Sequence, residues 1–167
     1  MELPKRKPNR LKNYSYSSPG SYFITICTNN KEKLLGDIIV GFGACDKPKN
    51  VLSTYGVIAE KYIHLMNEKY EYVSIDKFII MPNHIHMIIV IEEESVNGSS
   101  QAPNPTNDIL PKFISLFKRY CNLEFKRNIW QKSYHDHIIR NDKEYEDICN
   151  YIEYNVYKWL DDRYYSK

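Results

Sequence analysis

The 167-residue sequence lacks a long apolar run, a cysteine motif and a strong net charge. No apolar segment approaches the roughly 20 residues that a membrane-spanning helix requires, and the basic N-terminus is not followed by the apolar region of a signal peptide. We therefore expect a cytoplasmic protein. The four cysteines show no C-x-x-C spacing, so neither a zinc knuckle nor a disulfide framework is indicated. A net charge of only +2 argues against a histone-like polyanion binder.

The charge that is present is unevenly distributed. Five cations and one acid lie in the first twelve residues, and basic residues outnumber acidic ones again between positions 112 and 140. Acidic residues gather instead at 92–94 and within 142–162. Such separation is typical of a protein with one phosphate-facing side, although a solvated basic face would give the same pattern.

Apolar periodicity predicts a mixture of strands and helices in one domain spanning 1–167. We expect strands at 22–28, 34–40, 72–80, 84–92 and 133–140, and helices from 53 or 54 to 70, from 108 to 125 and from 142 to 160. Residues 1–20 form a basic, turn-rich arm, 41–50 a loop, and 93–107 a flexible polar loop. An evident hairpin at 72–92 favours an α+β fold, with helices packed on an antiparallel sheet.

Two histidines open one of the most apolar predicted strands, in the segment MPNHIHMIIV at 81–90. Because alternate residues of a strand share a face, His84 and His86 lie side by side, on the face that Ile88 and Val90 continue. Two imidazoles on one face can chelate a cation, but a hydrogen-bonded histidine pair at a sheet end is the more common explanation of an isolated H-x-H. The motif alone does not decide between them.

The last predicted helix carries a phenol and a carboxamide one turn apart. Tyr151 and Asn155 are four residues apart and lie at the edge of the apolar stripe of this helix. Tyr154 and Tyr157 point away from that stripe. Since the chain has 15 tyrosines, this spacing is a weak signal by itself.

Taken in order, these segments resemble a known family. MPNHIHMIIV, a basic helix containing LFKRY, then NIWQKSYHDHIIRN and finally a helix with YIEYN are similar to the single-tyrosine HUH transposases, and most similar to the REP-associated tyrosine transposases and related small insertion-sequence transposases. The opening KPNRLKNYSYSSPGSYFITICT is similar to their N-terminal arm and first strand. The resemblance covers most of the chain except about 93–107, and it implies the ferredoxin-like fold of HUH nucleases.

The resemblance also implies an activity and a set of site residues. Tyr151 corresponds to a nucleophile that attacks single-stranded DNA and leaves a 5′-phosphotyrosine link. His84, His86 and Asn155 correspond to ligands of a divalent ion, Mg²⁺ or Mn²⁺ in the family, although imidazole ligands suit Zn²⁺ as well. Where family members often have Asn-Pro, this chain has Asn155-Val156. His137, in the second H-x-H (HDH), receives no metal role.

The expected partner is single-stranded or hairpin DNA, bound by a monomer or a homodimer without a membrane. For the phosphate contacts we predict five basic side chains, three in the arm and two in the second helix: Lys5, Arg6, Arg10, Lys118 and Arg119. One alternative is a domesticated relative that binds structured DNA or RNA without cutting it. Another is a zinc hydrolase using both H-x-H pairs, which lacks an evident carboxylate base beside a third ligand.

Overall fold

A four-stranded antiparallel sheet organises the chain. The computed structural model describes residues 14–39, 47–93 and 109–165, so Lys5, Arg6 and Arg10 of the arm lie outside the described residues. The sheet strands are β1 (Gly20–Cys27), β4 (Val73–Met81), β5 (His84–Ile91) and β6 (His135–Ile139), in the spatial order β4-β5-β1-β6. A small separate hairpin consists of β2 (Gly36–Ile39) and β3 (Lys49–Leu52).

Three α-helices pack on this sheet: α1 (Thr54–Lys69), α2 (Ile109–Phe125) and α3 (Asp142–Tyr154), the last continued by a 3₁₀ segment, Asn155–Asp161. With β2 and β3 set aside, the elements from β1 to β6 follow the order β-α-β-β-α-β, which is the ferredoxin-like arrangement. Helix α3 comes after them. The expected α+β class, with helices on an antiparallel sheet, is therefore confirmed. No helix in the described ranges is both long and apolar enough to cross a bilayer.

The two faces of the sheet bury different sets of side chains. Ile85, Met87 and Ile89 of β5 belong to the larger core, together with apolar residues of α1 and α2. On the other face, Ile88 packs with Ile139 of β6 and Ile152 of α3 in a smaller cluster. The alternation expected for β5 is thus present, and it assigns the face of His84 and His86 to α3.

Two predicted elements differ from the observed ones. Strand β3 occupies Lys49–Leu52, whereas the predicted polar loop extended to residue 50. Lys49 is in the strand because it pairs with Ile39, and such pairing produces no apolar pattern in the sequence. The final helix was expected to stay α-helical to residue 160, but it tightens to 3₁₀ winding at Asn155. There the Asn155 N–H donates to the Ile152 carbonyl, three residues back, so carbonyls at the helix end remain satisfied.

Side-chain caps define the ends of α3 and α1. The Asn141 side chain accepts a hydrogen bond from the Glu144 N–H at 2.9 Å, as its N-cap spacing predicts. The Glu144 carboxylate accepts from the Arg140 N–H at 2.7 Å rather than from Asn141, so the capping box is shifted by one residue. Ser53 caps α1 in the same manner, by accepting from the Gly56 N–H.

Candidate metal and tyrosine site

Strands β5 and β1 position the histidine pair. The turn Pro82-Asn83 ends β4, and β5 begins at His84, which pairs with Cys27 of β1. His86 pairs with Thr25. Both imidazoles are fully buried, with no solvent-exposed surface. Their Nε2 atoms lie 3.0 Å apart.

The hydrogen-bond network orients both histidines. The Asn83 amide nitrogen donates to the carbonyls of Lys31 and Tyr164, so its Oδ1, 2.8 Å from His84 Nδ1, must accept, and His84 Nδ1 carries the proton. The Thr25 hydroxyl is hydrogen-bonded to His86 Nδ1 at 2.8 Å. The two Nε2 atoms therefore face each other, and that of His84 carries a lone pair.

Burial keeps both imidazoles neutral. Together with the nearby positive charges of Arg163 and Lys31, it lowers the pKa of His84 to about 3. Burial also holds the pKa of His86 well below its ordinary value, with His84 and Arg163 acting in the same direction. Neutral imidazoles with free Nε2 lone pairs are the form that binds a metal ion.

Helix α3 brings Tyr151 to this pair. The Tyr151 hydroxyl lies 3.2 Å from His86 Nε2, and its ring contacts those of His86 and Phe23 at centroid distances of 5.2 and 5.9 Å. The side chain is 39% exposed, so it borders both the buried histidines and solvent. Burial raises the pKa of the Tyr151 phenol, and the Asp162 carboxylate raises it further, whereas a hydrogen bond from Asn155 opposes both.

Asn155 is the most buried residue of the 3₁₀ segment, only 2% exposed. Its side chain is hydrogen-bonded to Tyr151, whose phenolate form it stabilises, so the amide nitrogen is the donor. Its Oδ1 has no hydrogen-bond partner in the described part of the chain. A buried amide oxygen without a donor is an unusual cost for a fold, and a hard cation would satisfy it.

Asp162 is a fifth residue at the site, and sequence reasoning missed it. Its Oδ2 lies 3.9 Å from His84 Nε2, and its carboxylate is only 3% exposed. Its Oδ1 accepts a hydrogen bond from the Tyr164 N–H at 2.6 Å, which fixes the side chain. Ligand atoms of His84, His86 and Asp162 all lie within 4.8 Å of one another. Because Asp162 follows the end of a helix, no periodic pattern indicated its position; the adjacent acids Asp161 and Asp162 were the only signal.

These donors fit a divalent ion. The two Nε2 atoms lie 3.0 Å apart, close enough for both to contact one ion. Asp162 and Asn155 would add the oxygen ligands that hard ions such as Mg²⁺ favour.

The chain beyond the 3₁₀ segment covers the histidines. The Tyr164 ring lies 4.7 Å from the His84 ring and 5.7 Å from that of His86, between centroids. The Arg163 guanidinium lies over the Tyr164 ring at 4.6 Å, and its Nη2 donates to the Tyr164 hydroxyl at 2.5 Å. This cover excludes water from the pair, which accounts for the strong desolvation of both imidazoles.

The other predicted residues lie apart from this cluster. His137 is half-exposed, and its Nε2 is 2.6 Å from the Glu144 carboxylate. Lys118, predicted to contact phosphate, instead donates from Nζ to the carbonyls of Gln131 at 2.8 Å and Ser133 at 3.0 Å, and burial lowers its pKa to about 8. Arg119 is exposed on α2. His137 is thus separate from the buried pair, whereas the His135 ring lies 6.2 Å from the Tyr164 ring, between centroids. Lys118 has a structural task.

The fold and the site together define a ferredoxin-like domain in which a buried histidine pair faces a helical tyrosine. No protein-family model matches the chain. An uncharacterised Haemophilus influenzae protein is 34% identical to it over 96% of this chain and 93% of its own length. A second H. influenzae protein, provisionally named a REP-associated tyrosine transposase, is 28% identical over 89% of this chain and 77% of its own.

Two further comparisons point the same way. The REP-associated tyrosine transposase of Escherichia coli K12 is 26% identical over 51% of this chain and 45% of its own length. A solved structure of a REP-associated tyrosine transposase bound to a REP hairpin shares the fold, with a TM-score of 0.60 at 21% identity, over 95% of this chain and 74% of that one. The chain is thus similar in sequence to proteins named REP-associated tyrosine transposases and shares their fold.

Proposed function

We propose that this protein is a metal-dependent endonuclease and strand transferase for single-stranded DNA, with Tyr151 as the nucleophile. The observation that carries the proposal is the 3.2 Å approach of the Tyr151 hydroxyl to His86 Nε2, beside the facing Nε2 of His84. The named relatives support a role in transposition, and the structural relative's REP hairpin supports hairpin DNA as the partner.

In the proposed step, the Tyr151 oxygen attacks a phosphodiester phosphorus. A phosphorus–oxygen bond to Tyr151 forms, the bond to the 3′ oxygen breaks, and the hydroxyl proton of Tyr151 is lost while the leaving 3′ oxygen gains one. The products are a 5′-phosphotyrosine and a free 3′-OH. A later attack by a 3′-OH on the same phosphorus restores the tyrosine and joins two strands, so no external energy source is required.

The residues around Tyr151 would each contribute to this step. His84, His86, Asp162 and Asn155 would hold the divalent ion, which supplies charge neutralisation at the phosphate. The hydrogen bond from the Asn155 amide favours the phenolate over the phenol. Since burial raises the pKa of Tyr151, an unassisted phenol would be almost fully protonated at neutral pH, and the nearby positive charge of an ion would offset that.

Covalent capture tests the assignment. Wild-type protein incubated with a single-stranded oligonucleotide carrying a family-type hairpin, in Mn²⁺, should form a protein–DNA adduct that survives denaturing electrophoresis. Tyr151→Phe keeps the ring and removes only the hydroxyl, so it should fold normally and form none. Tyr154→Phe and Tyr157→Phe, on exposed phenols of the same segment, are matched controls and should form adduct.

The linked peptide identifies the nucleophile directly. Digestion of the adduct followed by mass spectrometry should locate the DNA on Tyr151, and excess chelator should prevent the adduct from forming. DNA on another residue, or full adduct formation in chelator, would refute this mechanism. Tight binding of the hairpin without adduct in any divalent ion would favour the alternative of a non-cleaving binder.

A further inference from the structure

A second feature, outside the tyrosine site, is a concave groove between the C-terminal half of α2 and the segment 126–132. It has a volume of about 440 Å³. We call it the basic groove, because five cationic side chains line it and none of the described residues that line it is acidic. Those five are Lys118, Arg119, Lys126, Arg127 and Lys132.

Most of these charges are available to a ligand. Arg119, Lys126 and Lys132 are exposed, and none of them forms a salt bridge with a described residue. By contrast, Lys61 of α1 is paired with Glu124 at 2.7 Å. Lys118 holds the wall of the groove through its bonds to the Gln131 and Ser133 carbonyls. The groove thus combines an ordered wall with unpaired positive charge.

Lys126 occupies a position that normally favours glycine. It follows the last residue of α2 with a φ of +55°, in the left-handed region where a side chain costs free energy. Glycine is the usual residue at such a helix terminus because it avoids that cost. Lysine in its place puts a cation on the basic groove at the expense of backbone strain.

The basic groove also has an apolar side. Leu123, 66% exposed, lines it, as does Trp130, which is buried against the rings of Phe117 and Phe125. Cations that track phosphates beside apolar surface that accommodates bases are what single-stranded nucleic acid requires.

Hydrogen bonds connect the basic groove to the tyrosine site. The Gln131 N–H donates to the Cys27 carbonyl at 2.9 Å, and the Asn29 N–H donates to the Ile129 carbonyl at 2.7 Å. Cys27 is the strand partner of His84. The groove wall is therefore attached to the end of β1 that lies beside the histidine pair, and one DNA strand could occupy both places.

We propose that the basic groove is a second subsite, which binds the phosphates and bases of an unpaired strand flanking the DNA that Tyr151 attacks. The identity of the nucleic acid rests on the proposed function, whereas the binding test below does not depend on it. Arg119, Lys126, Arg127 and Lys132 supply the phosphate contacts, and Lys118 positions the wall.

The test measures binding without cleavage. Fluorescence anisotropy with a labelled twelve-nucleotide oligothymidylate would use Tyr151→Phe protein in chelator, over a range of salt concentrations. Replacing Arg119 and Lys132 by Gln together should lower the slope of log affinity against log salt by about 1.4, since each single-stranded phosphate contact contributes ~0.7. The matched control, Lys49→Gln with Lys143→Gln, removes two exposed lysines outside the groove and should leave the slope unchanged.

Three results would overturn the proposal: an unchanged slope for the groove pair, an equal decrease for the control pair, or a decrease seen only with a blunt duplex. Adduct formation, measured separately on protein with Tyr151 intact, keeps the two proposals distinct. A normal adduct with an unchanged slope defeats only the groove, whereas a lowered slope with no adduct defeats only the nuclease mechanism.

Lys126→Gly separates function from folding. The substitution removes both a groove charge and the strained backbone, so it should weaken oligothymidylate binding several-fold while raising the melting temperature. A variant that merely damaged the fold would lose both. Unchanged affinity in Lys126→Gly would contradict a phosphate contact by Lys126 and, with it, the proposed composition of the subsite.

Discussion

At the scale of single residues, the site is determined by the hydrogen bonds that orient each histidine. Asn83 accepts from His84 Nδ1 and donates to the Tyr164 carbonyl, and Thr25 is hydrogen-bonded to His86 Nδ1. These contacts direct both Nε2 atoms to one point. Replacing Asn83 or Thr25 would therefore affect a metal ion without touching it, as residues behind metal ligands generally do.

The role of Asp162 can be tested by metal affinity in the absence of DNA. Asp162→Asn removes a charge but keeps the Oδ1 acceptor for the Tyr164 N–H, so the fold should be retained. Loss of an anionic ligand should weaken Mn²⁺ binding by at least about tenfold, measured by electron paramagnetic resonance. Asp161→Asn, the exposed neighbouring acid, is the matched control and should bind Mn²⁺ as the wild type does. Equal affinity in Asp162→Asn would remove Asp162 from the ligand set.

Part of this site could be predicted from the sequence, and there are physical reasons why the rest could not. Period-two alternation was sufficient to place His84 and His86 on one face, because strand geometry is local. The roles of Tyr151 and Asn155 were indicated by resemblance, and the structure places both side chains beside the pair; these roles remain predictions. Asp162 depends on where the chain turns after a helix, which no local pattern specifies. The structural task of Lys118 likewise depends on carbonyls 13 and 15 residues away.

At the scale of secondary-structure elements, α3 positions Tyr151 against the sheet. Ile152 anchors the helix against Ile88 and Ile139, and Tyr151 precedes it on the exposed side. The change to 3₁₀ winding at Asn155 buries the carboxamide beside Tyr151. Long apolar periods predicted β1, α1, β4, β5, α2 and β6 within a few residues of their observed bounds. The short β3 and the 3₁₀ segment were missed because contacts, rather than propensity, form them.

The N-cap of α3 gives a prediction at this scale. Asn141→Ala removes the acceptor of the Glu144 N–H and should lower the free energy of unfolding by about 1 kcal/mol. Asn150→Ala, on the exposed face of the same helix, is the matched control; it should be neutral or slightly stabilising because alanine favours the helix interior. Urea denaturation of both variants measures the difference, and equal stabilities would show that the cap contributes nothing.

At the scale of the whole molecule, acidic and basic residues lie on different elements. The first turns of α3 carry Asp142, Glu144, Glu146 and Asp147, whereas the basic groove and the arm carry most of the excess positive charge. A strand of DNA would be repelled from the acidic turns and attracted to the basic groove and the arm. The small net charge of +2 conceals this arrangement.

The arm and the basic groove should contact different phosphates, and salt dependence can show whether they do. Within the arm, the Tyr16 hydroxyl donates to the Asp136 carboxylate of β6 at 2.7 Å. Arg6→Gln with Arg10→Gln should lower the salt slope for a hairpin with a single-stranded flank by about one unit per lost contact.

Combining the arm and groove substitutions tests whether the two sets of cations contact different phosphates. If the two sets neutralise separate phosphates, the fourfold variant should lose the sum of the two decreases in slope, because independent contacts add. A sum that falls short would mean that both sets reach the same phosphates. Full additivity on the flanked hairpin, with the groove decrease absent when the flank is removed, is the expected result for a molecule that holds the hairpin and its flank at two places.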